Sequence, residues 1–389
     1  MRAGRAGGRA RGLGVALLAV GVLLGGAGCV AAPEPAPSSA DPSRPGAVLD
    51  VGPWAGEAPA GSVVQSVTFR TLDVQDRAVS SHALVISPTA AGAAAAGRIL
   101  VWEHGTTGAQ AACSPSAIPG WLTGGAVPGL DELLRGGWTV VAPDLADPRT
   151  DRPMPYLVGE GEARASLDAV RATRELSGGA LDAGFAVWGH SQGGHAALWT
   201  ASTAASYAPE LTVRAVAAFA PAVDPGELIA PTAPPVAAAL LGGWIAAGYD
   251  AWYGDDSATE GFDPALAPVL EAVAAGCLGD PPTAELTAGL EQVAAGAVPV
   301  GVRDSASLLR RRLAGNTATT APGTPTFVAW GEADDVVAPA SLERWAAAAD
   351  GTALEARPYP GLDHGTVVGP DSAAVADALA WTTARLPER

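Results

Sequence analysis

Phe185-Ala186-Val187-Trp188-Gly189-His190-Ser191-Gln192-Gly193-Gly194-His195-Ala196 is the stretch that decides the fold. Its first four residues are an apolar run closed by glycine, the pattern of a short buried strand. Gly189–Gly193 then reads G-x-S-x-G, and a stretch with helical character, Gly194–Ala205, follows. A serine held between such a strand and such a helix sits on a sharp turn, and the flanking glycines let backbone and helix approach without a Cβ clash. The turn lifts the hydroxyl out of the end of a sheet. Free N–H groups of the following helix face it there and favour a developing anion. An ordinary glycine-rich loop would explain the pentapeptide but not both flanks.

Outward from this turn, strands and helices alternate. Ser62–Thr71 and Ala78–Ser87 predict a leading β-pair. Arg98–Trp102, Trp138–Ala142, Val213–Phe219, Thr326–Trp330 and Leu354–Tyr359 are further strand runs. Gly129–Arg135, Gly161–Leu176, Ser341–Ala349 and Ser372–Leu386 read as helices; in the second of these, Ala165, Leu167, Ala169 and Val170 recur at helical spacing. This rhythm predicts an α/β fold with a mostly parallel central sheet and helices on both faces. It breaks between Asp224 and about Thr324, where Ala- and Leu-rich helical stretches replace the strand pattern. The expected organisation is a leader over 1–28, a Pro/Ala-rich tether over 29–55, the first part of the core over 56–224, an inserted helical cap over 225–323, and the rest of the core over 324–389.

The chain has 389 residues, of which 48% are hydrophobic, enough for a sizeable core. Its net charge is −17 and every one of its 23 basic residues is arginine. Without a basic footprint, nucleic acid is excluded as a partner. Arg2, Arg5, Arg9 and Arg11 precede an apolar segment, Leu13–Leu24, that is too short for a spanning helix and reads as an export leader. Gly26-Ala27-Gly28-Cys29 resembles a lipobox, with Gly26 where leucine is usual. Lipidation at Cys29 would anchor the protein at a membrane surface; a cut after Ala32 would release it. With Cys29 lipidated or lost, Cys113 and Cys277 remain in an oxidising compartment. A disulfide between them is the economical expectation, two buried free thiols the alternative. His190 and His195 are five apart and nearby carboxylates lack ligand spacing, so no metal is expected. The protein is expected to act as a monomer.

A serine hydroxyl needs a base to become a nucleophile. Five histidines are available: His82, His104, His190, His195 and His364. His190 and His195 flank the serine and read as structural groups held by the local backbone. His82 lies in an early strand. His364 stands in Gly361-Leu362-Asp363-His364-Gly365, a loop after the last strand run, where the order Ser…Asp…His places the base. The carboxylate that orients it should follow Thr326–Trp330, in Gly331-Glu332-Ala333-Asp334-Asp335-Val336-Val337. Asp334 fits a G-x-x-D-x-x-V spacing; Asp335 is the alternative. Two N–H donors should face the oxyanion. One is that of Gln192. The other lies in Glu103-His104-Gly105-Thr106-Thr107-Gly108, where Gly105 permits close approach, Thr106 donates and His104 supports the loop from within.

Several of these pieces together resemble the secretory lipases, the family of the fungal lipase A type and its actinobacterial relatives. They are His104–Gly108 with Cys113-Ser114-Pro115-Ser116, Tyr156-Leu157 with Leu167–Ala172, Gly189–Ala196, and the two C-terminal loops, in order over residues 60–385. The resemblance implies an α/β-hydrolase fold with a helical cap that cleaves lipid esters without a cofactor. It implies the triad Ser191, Asp334 and His364, and supports a Cys113–Cys277 link. One departure is Asp144–Arg152, charged where such lipases carry a tyrosine and glycine-rich run. This loop is expected to border the site, which favours ester hydrolysis over long-chain lipase activity. Leu228-Ile229, Leu240-Leu241, Trp244-Ile245 and Trp252-Tyr253 could line an acyl tunnel or simply pack the cap. A peptidase or acyltransferase on the same fold is the rival function, with Glu227 or Glu260 as a peptidase's terminus anchor. A non-catalytic binding protein would have no use for a complete triad.

Overall fold

The computed structural model describes residues 41–89, 97–303, 307–349 and 353–387. The leader and Cys29, with both processing alternatives, lie outside the described residues. The strands are β1 (Val48–Pro53), β2 (Ser62–Leu72), β3 (Ala78–Pro88), β4 (Ile99–Glu103), β5 (Thr139–Pro143), β6 (Gly184–His190), β7 (Thr212–Phe219), β8 (Thr326–Gly331) and β9 (Leu354–Tyr359). They form one sheet in the order β1-β2-β3-β5-β4-β6-β7-β8-β9. β1, β2, β3 and β5 pair antiparallel in succession, and every pairing from β5 through β9 is parallel.

Alternation along the central strands sends side chains into two cores. Ile99, Val101, Phe185 and Val187 face one; Leu100, Trp102, Ala186 and Trp188 face the other. A strand buried on both faces shows as a continuous apolar run, which is why these strands were legible. The first core is covered by α2 (Gly159–Leu176) and α3 (Gln192–Tyr207), the second by α1 (Leu130–Arg135). Between β7 and β8 lie α4 (Pro225–Leu228), α5 (Pro235–Tyr253), α6 (Ser257–Glu260), α7 (Ala267–Ala274), α8 (Ala284–Ala294) and α9 (Leu308–Gly315). α10 (Pro339–Ala348) adds Leu342 to the first core, and α11 (Ala373–Arg385) adds Trp381 to the second. Trp244, Ile245 and Tyr249 of α5 belong to the first core, so the insertion is continuous with the domain it interrupts.

The tether expected over 29–55 does not extend through Val48–Pro53. Val48–Pro53 is a strand, and Trp54 beyond it is buried with its Nε1 donating to the Ser116 carbonyl at 2.9 Å. Val48-Leu49-Asp50-Val51-Gly52-Pro53 has no clean period. Its order comes from the ladder that β2 supplies, and a proline is tolerated at the end of an edge strand. Cys113 and Cys277 form a disulfide with a Cα–Cα distance of 5.3 Å, which ties the segment after β4 to the turn beyond α7.

Because β4, β6, β8 and β9 are parallel, the loops that follow them gather at one end of the sheet. Open α/β sheets bind ligands at that end. The loops are 104–108, 191–194, 332–337 and 360–366.

Candidate active site

Ser191 occupies the turn between β6 and α3 with φ 56° and ψ −116°, a left-handed backbone unusual for a residue with a side chain. Three glycines make the turn possible. A Cβ on Gly189 would lie 1.9 Å from the Gly193 carbonyl oxygen, one on Gly193 would lie 1.9 Å from that of Glu103, and one on Gly194 would press on Pro221. The turn is pinned on both sides: Ser191 N–H donates to the Phe219 carbonyl at 2.9 Å, and the Ser191 carbonyl accepts from Ala222 at 3.0 Å and His195 at 3.1 Å.

The structure brings Ser191, His364 and Asp334 together. Ser191 Oγ is 2.9 Å from His364 Nε2, and His364 Nδ1 is 2.8 Å from Asp334 Oδ2. A carboxylate only accepts, so Nδ1 carries the proton and Nε2 offers its lone pair to the hydroxyl. The other Asp334 oxygen accepts from the N–H groups of Val336 at 2.9 Å and Val337 at 2.8 Å, so the carboxylate cannot rotate away. Asp335 is exposed. Asp363 caps its own loop through Gly365 and Thr366. The loops that carry Asp334 and His364 are stitched to each other: Ala333 N–H donates to the Leu362 carbonyl at 2.9 Å, and a Cβ on Gly331 would lie 2.1 Å from that same oxygen.

Thr106 and Gln192 have backbone N–H groups that no hydrogen bond among the described residues takes up. Thr106 Oγ1 bonds the Tyr156 hydroxyl at 2.8 Å, and Tyr156 packs against Trp244 of α5. His104 Nδ1 donates to the Gly105 carbonyl at 2.6 Å, within the loop. The Gln192 side chain donates to Glu162 Oε1 at 2.9 Å. Glu103, fully buried at the end of β4, has its carboxyl pushed up to about 8, first by burial and then by the charge of Glu162.

Two histidine expectations are corrected. His195 is not held by the local backbone. Its Nδ1 bonds Glu162 Oε2 at 2.8 Å and its Nε2 donates to the Asn316 carbonyl at 2.7 Å, which joins α2 and α3 to the end of the insertion. His190 Nε2 donates to the His364 carbonyl at 2.8 Å, 174 residues away. No local pattern announces partners so distant in sequence. Within the loop 144–152 the arginines are paired. Arg149 pairs with Asp147 and Asp50, and Arg152 with Asp73, so these charges turn toward β1 and the β2–β3 connection. Its apolar continuation reaches the turn, where Met154 Sδ lies 3.6 Å from Gln192 Nε2.

A second set of the same residue types stands elsewhere. Ser66 Oγ is 2.7 Å from His82 Nε2, and His82 Nδ1 is 2.8 Å from Asp144 Oδ2. Asp144 also accepts from Ser116 N–H at 3.0 Å and from its hydroxyl. Among the described residues, no group of three or more His, Cys, Asp or Glu side chains is arranged to hold a metal.

A mostly parallel sheet with covering helices and functional loops at its C-terminal end defines the α/β-hydrolase class. Residues 115–389 match the profile of the secretory lipase family, and the chain belongs to that family. It is 37% identical to Lipase 1 of Candida albicans over 82 residues, 20% of this chain and 17% of that lipase. It is 31% identical to Lipase A of Moesziomyces aphidis over 156 residues, 37% of this chain and 32% of the relative. The aligned regions therefore span under a third of these curated relatives. Candida antarctica lipase A in its closed state superposes with a TM-score of 0.66 at 18% identity, over 88% of this chain and 82% of that one. The rice cell wall degrading esterase LipA of Xanthomonas oryzae superposes with a TM-score of 0.64 at 18% identity, over 88% of this chain and 97% of that one.

Proposed function

We propose that the protein is an exported serine hydrolase that cleaves carboxylic esters of lipid type through an acyl-enzyme. The observation that carries this reading is the unbroken line Ser191 Oγ, His364 Nε2, His364 Nδ1, Asp334 Oδ2, with contacts of 2.9 and 2.8 Å. Ser191 attacks the ester carbonyl while His364 takes its proton. Asp334 holds the imidazole in the right tautomer and stabilises the imidazolium. The N–H groups of Gln192, at the start of α3, and of Thr106 receive the oxyanion. His364 then protonates the leaving alcohol, and water attacks the acyl group by the same route in reverse.

Family membership supports the ester as substrate class, and the leader, Arg2–Leu24, supports export. Cys29 is proposed as the lipid anchor, with release after Ala32 as the alternative, and the α4–α9 insertion as a cap over the site. The peptidase reading loses one of its anchors, because Glu227 is already paired with Arg344 at 2.8 Å. A panel of p-nitrophenyl esters from acetyl to palmitoyl, with an aminoacyl anilide, tests the function. Ester turnover should dominate and vanish in Ser191→Ala; peak activity on the anilide would reject an esterase.

A further inference from the structure

We propose that His190 is a positioning residue for the base, clamping the His364 loop against the oxyanion loop during turnover. It rests on the reading of His364 as that base. The carbonyl of His364 can only accept, so His190 Nε2 carries the proton in their 2.8 Å bond. The two imidazoles lie with centroids 4.7 Å apart. On the opposite edge, a Cβ on Gly105 would come within 3.1 Å of His190 Nδ1, so the oxyanion loop packs directly on this ring. One side chain thus touches the backbone that carries the base and the backbone beside the Thr106 donor, while its own backbone precedes the nucleophile.

The chemistry also constrains its charge. The ionisable groups around it are His364 and Asp334. His364 becomes an imidazolium during acylation, and a second cation beside it would oppose that step. Burial, and then the neighbouring His364, bring the pKa of His190 down to about 3, so it stays neutral across the working range of a histidine base. A hydrogen-bond donor that does not ionise is what the clamp requires.

Two variants of the full exported chain separate the clamp from mere packing. His190→Phe keeps a ring but has no donor; His190→Gln keeps an N–H donor. On p-nitrophenyl butyrate, His190→Phe should lower kcat about 10- to 100-fold, the scale of a small misplacement of a reacting group. KM should stay within about twofold, and His190→Gln should recover kcat to within about fivefold of wild type. The acid-limb midpoint of kcat/KM in His190→Gln should match wild type within about 0.3 unit, because a neutral group has been exchanged for another. Wild-type kcat in His190→Phe, or equal losses in both variants, overturns the clamp. If His190→Phe does not fold, His190→Gln decides alone, and a loss beyond about tenfold or a midpoint moved by more than about half a unit overturns it. His364→Ala is the control. Activity surviving there sinks the base and the clamp together, whereas its loss beside an unimpaired His190→Phe sinks the clamp only.

Discussion

Two serine–histidine–aspartate sets stand among the described residues, and by side-chain distance they are near twins. Ser191, His364 and Asp334 stand at 2.9 and 2.8 Å; Ser66, His82 and Asp144 stand at 2.7 and 2.8 Å. Their backbones differ in every respect that matters for acyl transfer. Ser191 sits at positive φ on the N-terminus of α3, beside N–H groups that have no partner among the described residues. Ser66 is an extended residue inside β2, paired with Gly52 of β1 on one side and Leu84 of β3 on the other, so ladders flank it. A strand between two ladders spends its N–H groups on its neighbours, whereas a helix N-terminus leaves them free. The second set instead joins β2, β3 and the end of β5 to the Ser116 segment, with His82 and Asp144 buried. The proposed site therefore predicts that a hydrogen-bonded serine, histidine and aspartate do not suffice, and that the backbone around the serine makes the difference.

The sharpest way to break this comparison is to exchange the nucleophiles. Ser191→Ala should lower kcat by about 10^6, as loss of a triad serine does, while Ser66→Ala should leave it within about twofold. In Ser191→Ala protein treated with a fluorophosphonate, intact mass should show no adduct; a label on Ser66 would mean that side chains alone suffice. The acids come next. Asp334→Asn should cut kcat about 10^4-fold with the fold intact, whereas Asp144→Asn should spare kcat and cost about 1.5–3 kcal/mol in urea unfolding. Replacing both Cys113 and Cys277 by serine should cost about 2–4 kcal/mol, read from the same unfolding curves.

The smallest effect concerns pH. Glu103 titrates at about 8 in the folded protein against 4.5 for an ordinary glutamate. Between those values the folded state holds a proton that the unfolded chain has released, so this group's contribution to stability falls as pH rises across that window. Glu103→Gln mimics the protonated carboxyl. It should be more stable than wild type at pH 8 by at least about 1 kcal/mol, with the advantage shrinking toward pH 5. An equal difference at both pH values would show that Glu103 does not titrate in the window.

The sequence by itself determined the strand–turn–helix at Ser191, the alternation that builds the sheet, and the loops that carry Asp334 and His364. These features depend on short-range physics: apolar runs that must be buried, and glycines where a Cβ would collide within a few residues. Only the tertiary structure decided which carboxylate of the acid loop meets His364, because Asp334 and Asp335 differ by one position and point to opposite environments. It alone ordered β1, whose residues have no period of their own, and it alone gave His190 and His195 partners 174 and 121 residues away. It also separated the two serine sets. The sequence names the side chains of both, but whether an N–H is free or spent in a ladder depends on which strands close around it.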